Sequence, residues 1–102
     1  MQKINIGGEI YNQVDKMIDS HAYTDIYLNR SLSTTGVAKN CYLRPDIIGK
    51  RIDDVFDIVE VASESQAIGQ QLNVLVSHVD FYKTIDVVDK VILIKWGYWY
   101  GC

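Results

Sequence analysis

Cysteine is nearly missing from this chain. Cys41 and Cys102 are the only two. They form no CxxC pair and repeat no metal-ligand spacing, so reduced or incidental thiols are expected rather than a disulfide framework or a zinc knuckle. Proline is scarcer still: a single Pro45, with no low-complexity tract, leaves no basis for an extensively disordered segment. No apolar run approaches the roughly 20 residues of a membrane span. The longest, Val91 to Ile94, has the length of a strand. No signal-peptide pattern opens the sequence, since Met1-Gln2-Lys3 leads almost directly into a polar helix. An excess of basic charge is missing too. The formal net charge is −3, whereas tight non-specific binding to nucleic acid needs a basic footprint. Gly7-Gly8 lacks the pattern of a phosphate-cradling loop, and no Ser/His/Asp or Cys/His arrangement can be read from spacing.

What remains is ordinary globular material. With 48% hydrophobic and 23% charged residues, a chain of 102 residues can bury a core without staples, and residues 1–102 read as one domain. Ile10, Val14, Met17 and Ile18 recur at helical spacing and predict a helix from about Gly8 to His21. Tyr23 to Leu28 reads as a strand. Asn29 to Asn40 is polar and reads as a long surface loop, a type of segment that often carries function. Cys41 to Ile48 and Val55 to Ala62 follow as strands of an antiparallel hairpin. Ser63-x-x-Gln66 has the capping-box pattern of a second helix, with Ile68, Leu72, Leu75, Val76 and Val79 as its buried stripe. Asp80 to Lys90 carries no clear pattern. Val91 to Trp96 reads as a last strand, and Gly97 to Tyr100 as an aromatic tail. The order implies an α/β or α+β sandwich around a mixed sheet flanked by helices.

Two carboxylates stand out against this background. Glu60 is embedded in the apolar strand Val55–Ala62, and Asp46 follows Pro45 on the neighbouring one. A carboxylate in an apolar strand is costly unless a cation, a metal or hydrogen bonds receive it. If the hairpin loop is Ile52-Asp53-Asp54, Asp46 falls opposite Glu60, with Cβ atoms about 4.5–5.5 Å apart. Alternation puts Glu60 on one face with Phe56, Ile58 and Ala62, and Asp57 on the other. Two carboxylates so placed suit a hard divalent cation that leaves coordination sites for water and a phosphate oxygen. Arg44, Lys50, Arg51 and Lys39 cluster in sequence around Asp46, either as a local basic patch or as a solvated turn.

Pro45-Asp46, followed fourteen residues on by Glu60-Val61-Ala62, resembles the motif of the PD-(D/E)XK nuclease superfamily. The element order resembles that superfamily's αβββαβ core over most of the chain. More narrowly, Leu28 to Ser33, Arg44-Pro45-Asp46 and Glu60-Val61-x-Ser63 look like the C-terminal nuclease modules of bacterial contact-dependent inhibition and other polymorphic toxins. The resemblance implies a metal-dependent endonuclease using Mg²⁺, with Mn²⁺ or Zn²⁺ as alternatives, held by Asp46 and Glu60. It implies a nucleic-acid substrate, DNA or tRNA, and a cognate immunity protein with Arg44, Lys50 and Arg51 as candidate contacts. The domain would be secreted within a larger toxin and delivered to the cytoplasm of a target bacterium. Glu9 occupies the place of a further acid, and Gln66 that of an extra glutamine. The superfamily's lysine, two residues after the glutamate, is Ala62 here. Three accounts of that departure stand open: an inactivated variant, a cation supplied from Arg44, Lys39, Lys50 or Lys83, or a degenerate domain that only binds. Two other functions stay open beside the toxin: a catalytically silent interaction module and a housekeeping DNA-processing nuclease.

Plainer roles stand beside several of these residues. Glu9 suits the positive end of a helix dipole, and Ser63 and Gln66 suit a helix cap. His21 suits a helix end and His78 a solvated helix face. Trp96, Trp99 and Tyr100 fit a core or an interface as well as a base-stacking surface.

Overall fold

The computed structural model describes residues 6–63 and 68–95. Helix α1 (Ile6–Ser20) leads into strand β1 (Tyr23–Leu28); a long irregular connection then reaches strands β2 (Ile47–Arg51) and β3 (Phe56–Ala62). Helix α2 (Gly69–Tyr82) and strand β4 (Val88–Lys95) complete the order. The strands form one sheet, β1-β2-β3-β4. The first three run antiparallel to one another and β4 runs parallel to β3. Parallel neighbours need a crossover, and α2 provides it. The architecture is α+β: a four-stranded mixed sheet with two helices. Among the described residues no helix is long and apolar enough to cross a membrane.

The alternation of side chains sorts the core into two layers. Ile47, Val59 and Val61 point to the α1 side and pack with Met17, joined by Ile10, Val14, Tyr23, Ile26 and Ile94. Ile48, Phe56 and Ile58 point the other way and pack with Tyr82, Val88, Leu32 and Val37. Fully burying one such aliphatic side chain contributes about 1.5–3 kcal/mol. Ile18, expected in the buried stripe of α1, is exposed instead. The helix ends where His21 takes a left-handed backbone (φ 56°) and its N–H bonds to the Ile18 carbonyl at 3.1 Å.

The connection between β1 and β2 differs from expectation. Residues 41–46 are not strand; β2 begins at Ile47. Pro45 has no N–H to give to a ladder, and the segment instead pairs irregularly with 29–33. Asn29 donates to the Asp46 carbonyl at 3.1 Å, Leu32 to Leu43 at 3.0 Å and Ser33 to Cys41 at 2.9 Å. Nor is the loop purely a surface feature. Leu32 and Val37 fold back into the core, and the buried Ser31 hydroxyl accepts the Thr34 N–H at 3.1 Å.

Helix α2 also starts later than its capping-box pattern predicts. Its N-cap position is Ile68, which makes no side-chain cap bond. Ser63 follows the end of β3 at Ala62 and does not open the helix, and Gln66 lies outside the described residues. Of the inward stripe, Val79 and Tyr82 are buried and Leu72 and Leu75 half-buried, with Ile68 and Val76 exposed. This carries the helix into the segment left unassigned, and β4 starts three residues before Val91. Trp96, Trp99 and Tyr100 lie outside the described residues.

A second buried carboxylate fastens the hairpin end of the sheet. Asp57 accepts Arg51 Nε at 2.9 Å and Nη2 at 2.7 Å, the Tyr23 hydroxyl at 2.6 Å and the Lys90 N–H at 3.0 Å. Burial, with Asp57 beside it, pushes the Tyr23 hydroxyl up to about 12, so Tyr23 stays a donor. Holding Tyr23 there leaves no room at Gly49. A Cβ on Gly49 would stand 2.5 Å from Met17 Cε and 2.6 Å from Tyr23 Cε1. The methionine tip can move, but the tyrosine ring is tied by its hydroxyl. Gly49→Ala is therefore expected to lower stability by about 1–3 kcal/mol in urea unfolding. The loss should shrink when Tyr23→Ala opens the space; equal losses in both backgrounds would show that this close approach is not the cause.

Candidate functional site at Asp46 and Glu60

The hairpin closes through the Arg51 N–H to the Val55 carbonyl at 2.8 Å, leaving Ile52-Asp53-Asp54 as a three-residue loop. Asp54 takes the left-handed conformation (φ 65°) that such loops need at their last position. That loop fixes the register. Ile47 pairs with Val59, and the next step of the ladder brings Asp46 alongside Glu60. The Asp46 N–H donates to Glu60 Oε1 at 3.0 Å, and Asp46 Oδ2 accepts the Val61 N–H at 2.7 Å. Glu60 Oε2 accepts the Tyr82 hydroxyl from α2 at 3.1 Å. Glu60 thus faces the α2 layer with Phe56 and Ile58, and Asp57 the α1 layer with Tyr23.

Glu60 is 5% exposed, and Asp46 is half-buried beside it. Burial pushes the Glu60 carboxyl up to about 7, and the Asp46 charge adds to the rise. Asp46 is raised by burial as well, with the Val61 N–H and the hydrogen bond to Glu60 pulling it back down. Both carboxyls are thus held above their ordinary range, because burial penalises the charged form of each. Tyr82 is pushed up by burial and by the Glu60 charge and remains a donor. Chemically, this is a carboxyl pair, one member buried and one half-buried, that takes up a proton below about pH 7 and has oxygen lone pairs left for a cation.

The proton makes a prediction about stability. Glu60 titrates near 4.5 when solvated and near 7 in the fold. The folded state therefore binds this proton more tightly than the unfolded chain. Its contribution is complete below about pH 4.5 and is lost as pH rises through 7. In chelator, wild-type stability should fall by about 2–3 kcal/mol between pH 5 and pH 8.5, and Glu60→Gln should abolish most of that slope. Parallel slopes for the two proteins would mean that Glu60 is ionised throughout.

Other expected site residues stand apart. Glu9 sits in the first turn of α1, on the opposite layer, and its carboxylate takes the Asn12 amide at 3.5 Å. Ala62 is fully buried on the Glu60 face. Lys50 and Arg51 belong at the hairpin end, about 13–16 Å along the strand from Asp46. Lys50 lies 3.7 Å from Asp54, and Arg51 is committed to Asp57 and Asp89. The basic patch expected around Asp46 therefore reduces to Arg44 and Lys39, both exposed on the irregular connection. His78 is half-buried, not solvated, with its ring 6.5 Å from that of Tyr82. Among the described residues no group of three His, Cys, Asp or Glu side chains comes together as a metal cage. Tyr82 was not anticipated; continuing the helical spacing of Leu72, Leu75 and Val79 by three residues would have found it.

Comparison of the chain with family models, with curated proteins and with solved structures finds no match. Function must therefore be argued from the carboxyl pair itself.

Proposed function

We propose that this chain is a metal-dependent phosphodiesterase domain of the PD-(D/E)XK kind, acting as a nuclease toxin on the tRNA or DNA of a recipient bacterium and neutralised by an immunity protein. The observation that carries the reading is the meeting of Asp46 and Glu60 in a buried setting. Two carboxyls this close and this buried ionise together only at a cost in free energy unless a positive charge sits between them. A proton answers that need at low pH. A hard divalent cation answers it better above pH 7, since both donors are oxygen and the shell would keep room for water and phosphate. The residues fit such an ion: Asp46 and Glu60 would hold it, with Tyr82 orienting Glu60. The ion would supply charge neutralisation at a phosphodiester and acidify water. The order of elements, with β1 to β3 antiparallel and β4 returning parallel through α2, agrees with the αβββαβ core that the motif implies.

One observation favours a second reading, a catalytically silent module on the same fold. Ala62 stands where the motif has lysine, and it is fully buried. Calorimetric titration with Mn²⁺, and assays of plasmid DNA and of tRNA with Mg²⁺ or Mn²⁺, separate the two. Binding and cleavage abolished by chelator support the enzyme. Binding of an inhibitor protein without cleavage of either substrate supports the silent module.

A further inference from the structure

With alanine at position 62, β3 brings no cation to the Glu60 face. The parallel ladder brings one from the next strand. β3 and β4 pair Ile58 with Val91, Glu60 with Leu93, Val61 with Ile94 and Ala62 with Lys95. Paired residues of adjacent strands project to the same face of a sheet. The core agrees with this register. Val61 and Ile94 meet in the cluster under α1, while Ile58 and Val91 meet in the cluster on the α2 side. Lys95 therefore stands beside Ala62 on the face that carries Glu60, one strand away, at about 4.8 Å between backbones. Lys95 is exposed beside the fully buried Ala62, and its stem is long and flexible.

We infer that Lys95 is the catalytic cation of this site: its ammonium reaches past Ala62 to a phosphate bound through the metal that Asp46 and Glu60 would hold, and stabilises the charge that builds there during hydrolysis. The inference rests on the phosphodiesterase reading above. In the reaction a water oxygen bonds to phosphorus while the bond from phosphorus to the leaving sugar oxygen breaks. The water gives one proton to solvent and the leaving oxygen takes one from solvent, so diester and water become monoester and alcohol. Lys95 stays protonated and donates hydrogen bonds to a non-bridging oxygen. A preorganised donor of this kind contributes roughly 10²–10³ in rate. The other lysines and arginines are placed less well. Arg51 and Lys50 belong to the far end of the hairpin, Lys83 starts the turn that leads to Val88, and no ladder directs Lys39 or Arg44.

The test compares wild type, Lys95→Gln and Lys95→Arg. The turnover of plasmid DNA and of tRNA is measured with Mg²⁺, and Mn²⁺ affinity by calorimetry without nucleic acid. Lys95→Gln should lose roughly 10²–10³ in kcat with KM little changed, and Lys95→Arg should retain more. Mn²⁺ should bind Lys95→Gln about two- to tenfold more tightly, because one positive neighbour is gone. Wild-type turnover that survives Lys95→Gln, or an unmoved Mn²⁺ affinity, overturns the role of Lys95 and leaves the phosphodiesterase reading standing. A wild type that neither binds Mn²⁺ nor cleaves either substrate overturns both.

Discussion

Asp46→Asn and Glu60→Gln should each reduce divalent-cation-dependent cleavage by roughly 10³ or more while leaving a folded protein. Each exchange keeps the size of the side chain and an oxygen that can accept the existing N–H bonds from Val61 or Asp46. What it removes is one of the two negative charges. The remaining carboxyl then has no like-charged neighbour, so the need for a cation between them disappears. Mn²⁺ affinity should fall with activity in both variants, whereas urea midpoints at pH 8 should hold or rise. A purely architectural pair predicts the reverse: no metal dependence in the wild type and lost stability in the variants. Cleavage that persists in both variants would remove this pair from the chemistry.

On the proposed metal-dependent reading, binding of a cation must also displace the proton that Glu60 takes up. Burial and the Asp46 charge set that carboxyl near 7. At pH 6 the cation competes with the proton; at pH 8.5 it does not. Apparent Mn²⁺ affinity should therefore climb with pH and level off above about 7.5, with proton release on the acidic side measurable from the buffer dependence of the heat. Tyr82 bears on the same balance, because its hydroxyl bonds to the Glu60 oxygen that faces α2.

The sequence made some of this legible and hid the rest for physical reasons. β1 could be placed residue for residue, because Tyr23 to Leu28 has strand-forming side chains and lies between a helix end at His21 and a left-handed Asn29. The face of Glu60 followed from alternation alone, and its register with Asp46 followed from the length of the Ile52-Asp53-Asp54 loop. The start of α2 was misread because Ser63 and Gln66 match a capping box in spacing, while the helix begins only at Gly69. Residues 41–46 looked like strand from composition, yet their hydrogen bonds go to an irregular partner. Local pattern carries no information about such a partner. The same limit hid the destination of Arg51. Its nearness to Asp46 in sequence suggested a basic patch, but a strand separates by length what the chain lists side by side. The carboxylate of β3 that does meet an arginine lies on the other face, at Asp57.

Breaking that bridge should have the largest effect on stability of any single polar change in the described part of the chain. Asp57 is 3% exposed and collects four hydrogen bonds from β1, β2 and β4. Asp57→Ala leaves the Arg51 guanidinium without its bidentate partner and the Tyr23 hydroxyl and Lys90 N–H without an acceptor. Removing one partner of a buried ion pair costs about 3–5 kcal/mol. Arg51 keeps Asp89 at 2.8 Å and is 21% exposed, so the lower half of that range is expected. Typical domains are stable by only 5–15 kcal/mol, so Asp57→Ala should be marginal at 37 °C. Replacing both partners tests the origin of the loss. Asp57→Leu with Arg51→Met removes the stranded charge and should recover part of the stability. Recovery isolates an uncompensated arginine as the cause, whereas a double variant as weak as Asp57→Ala assigns the loss to the Tyr23 and Lys90 bonds that tie β1 and β4 to one carboxylate.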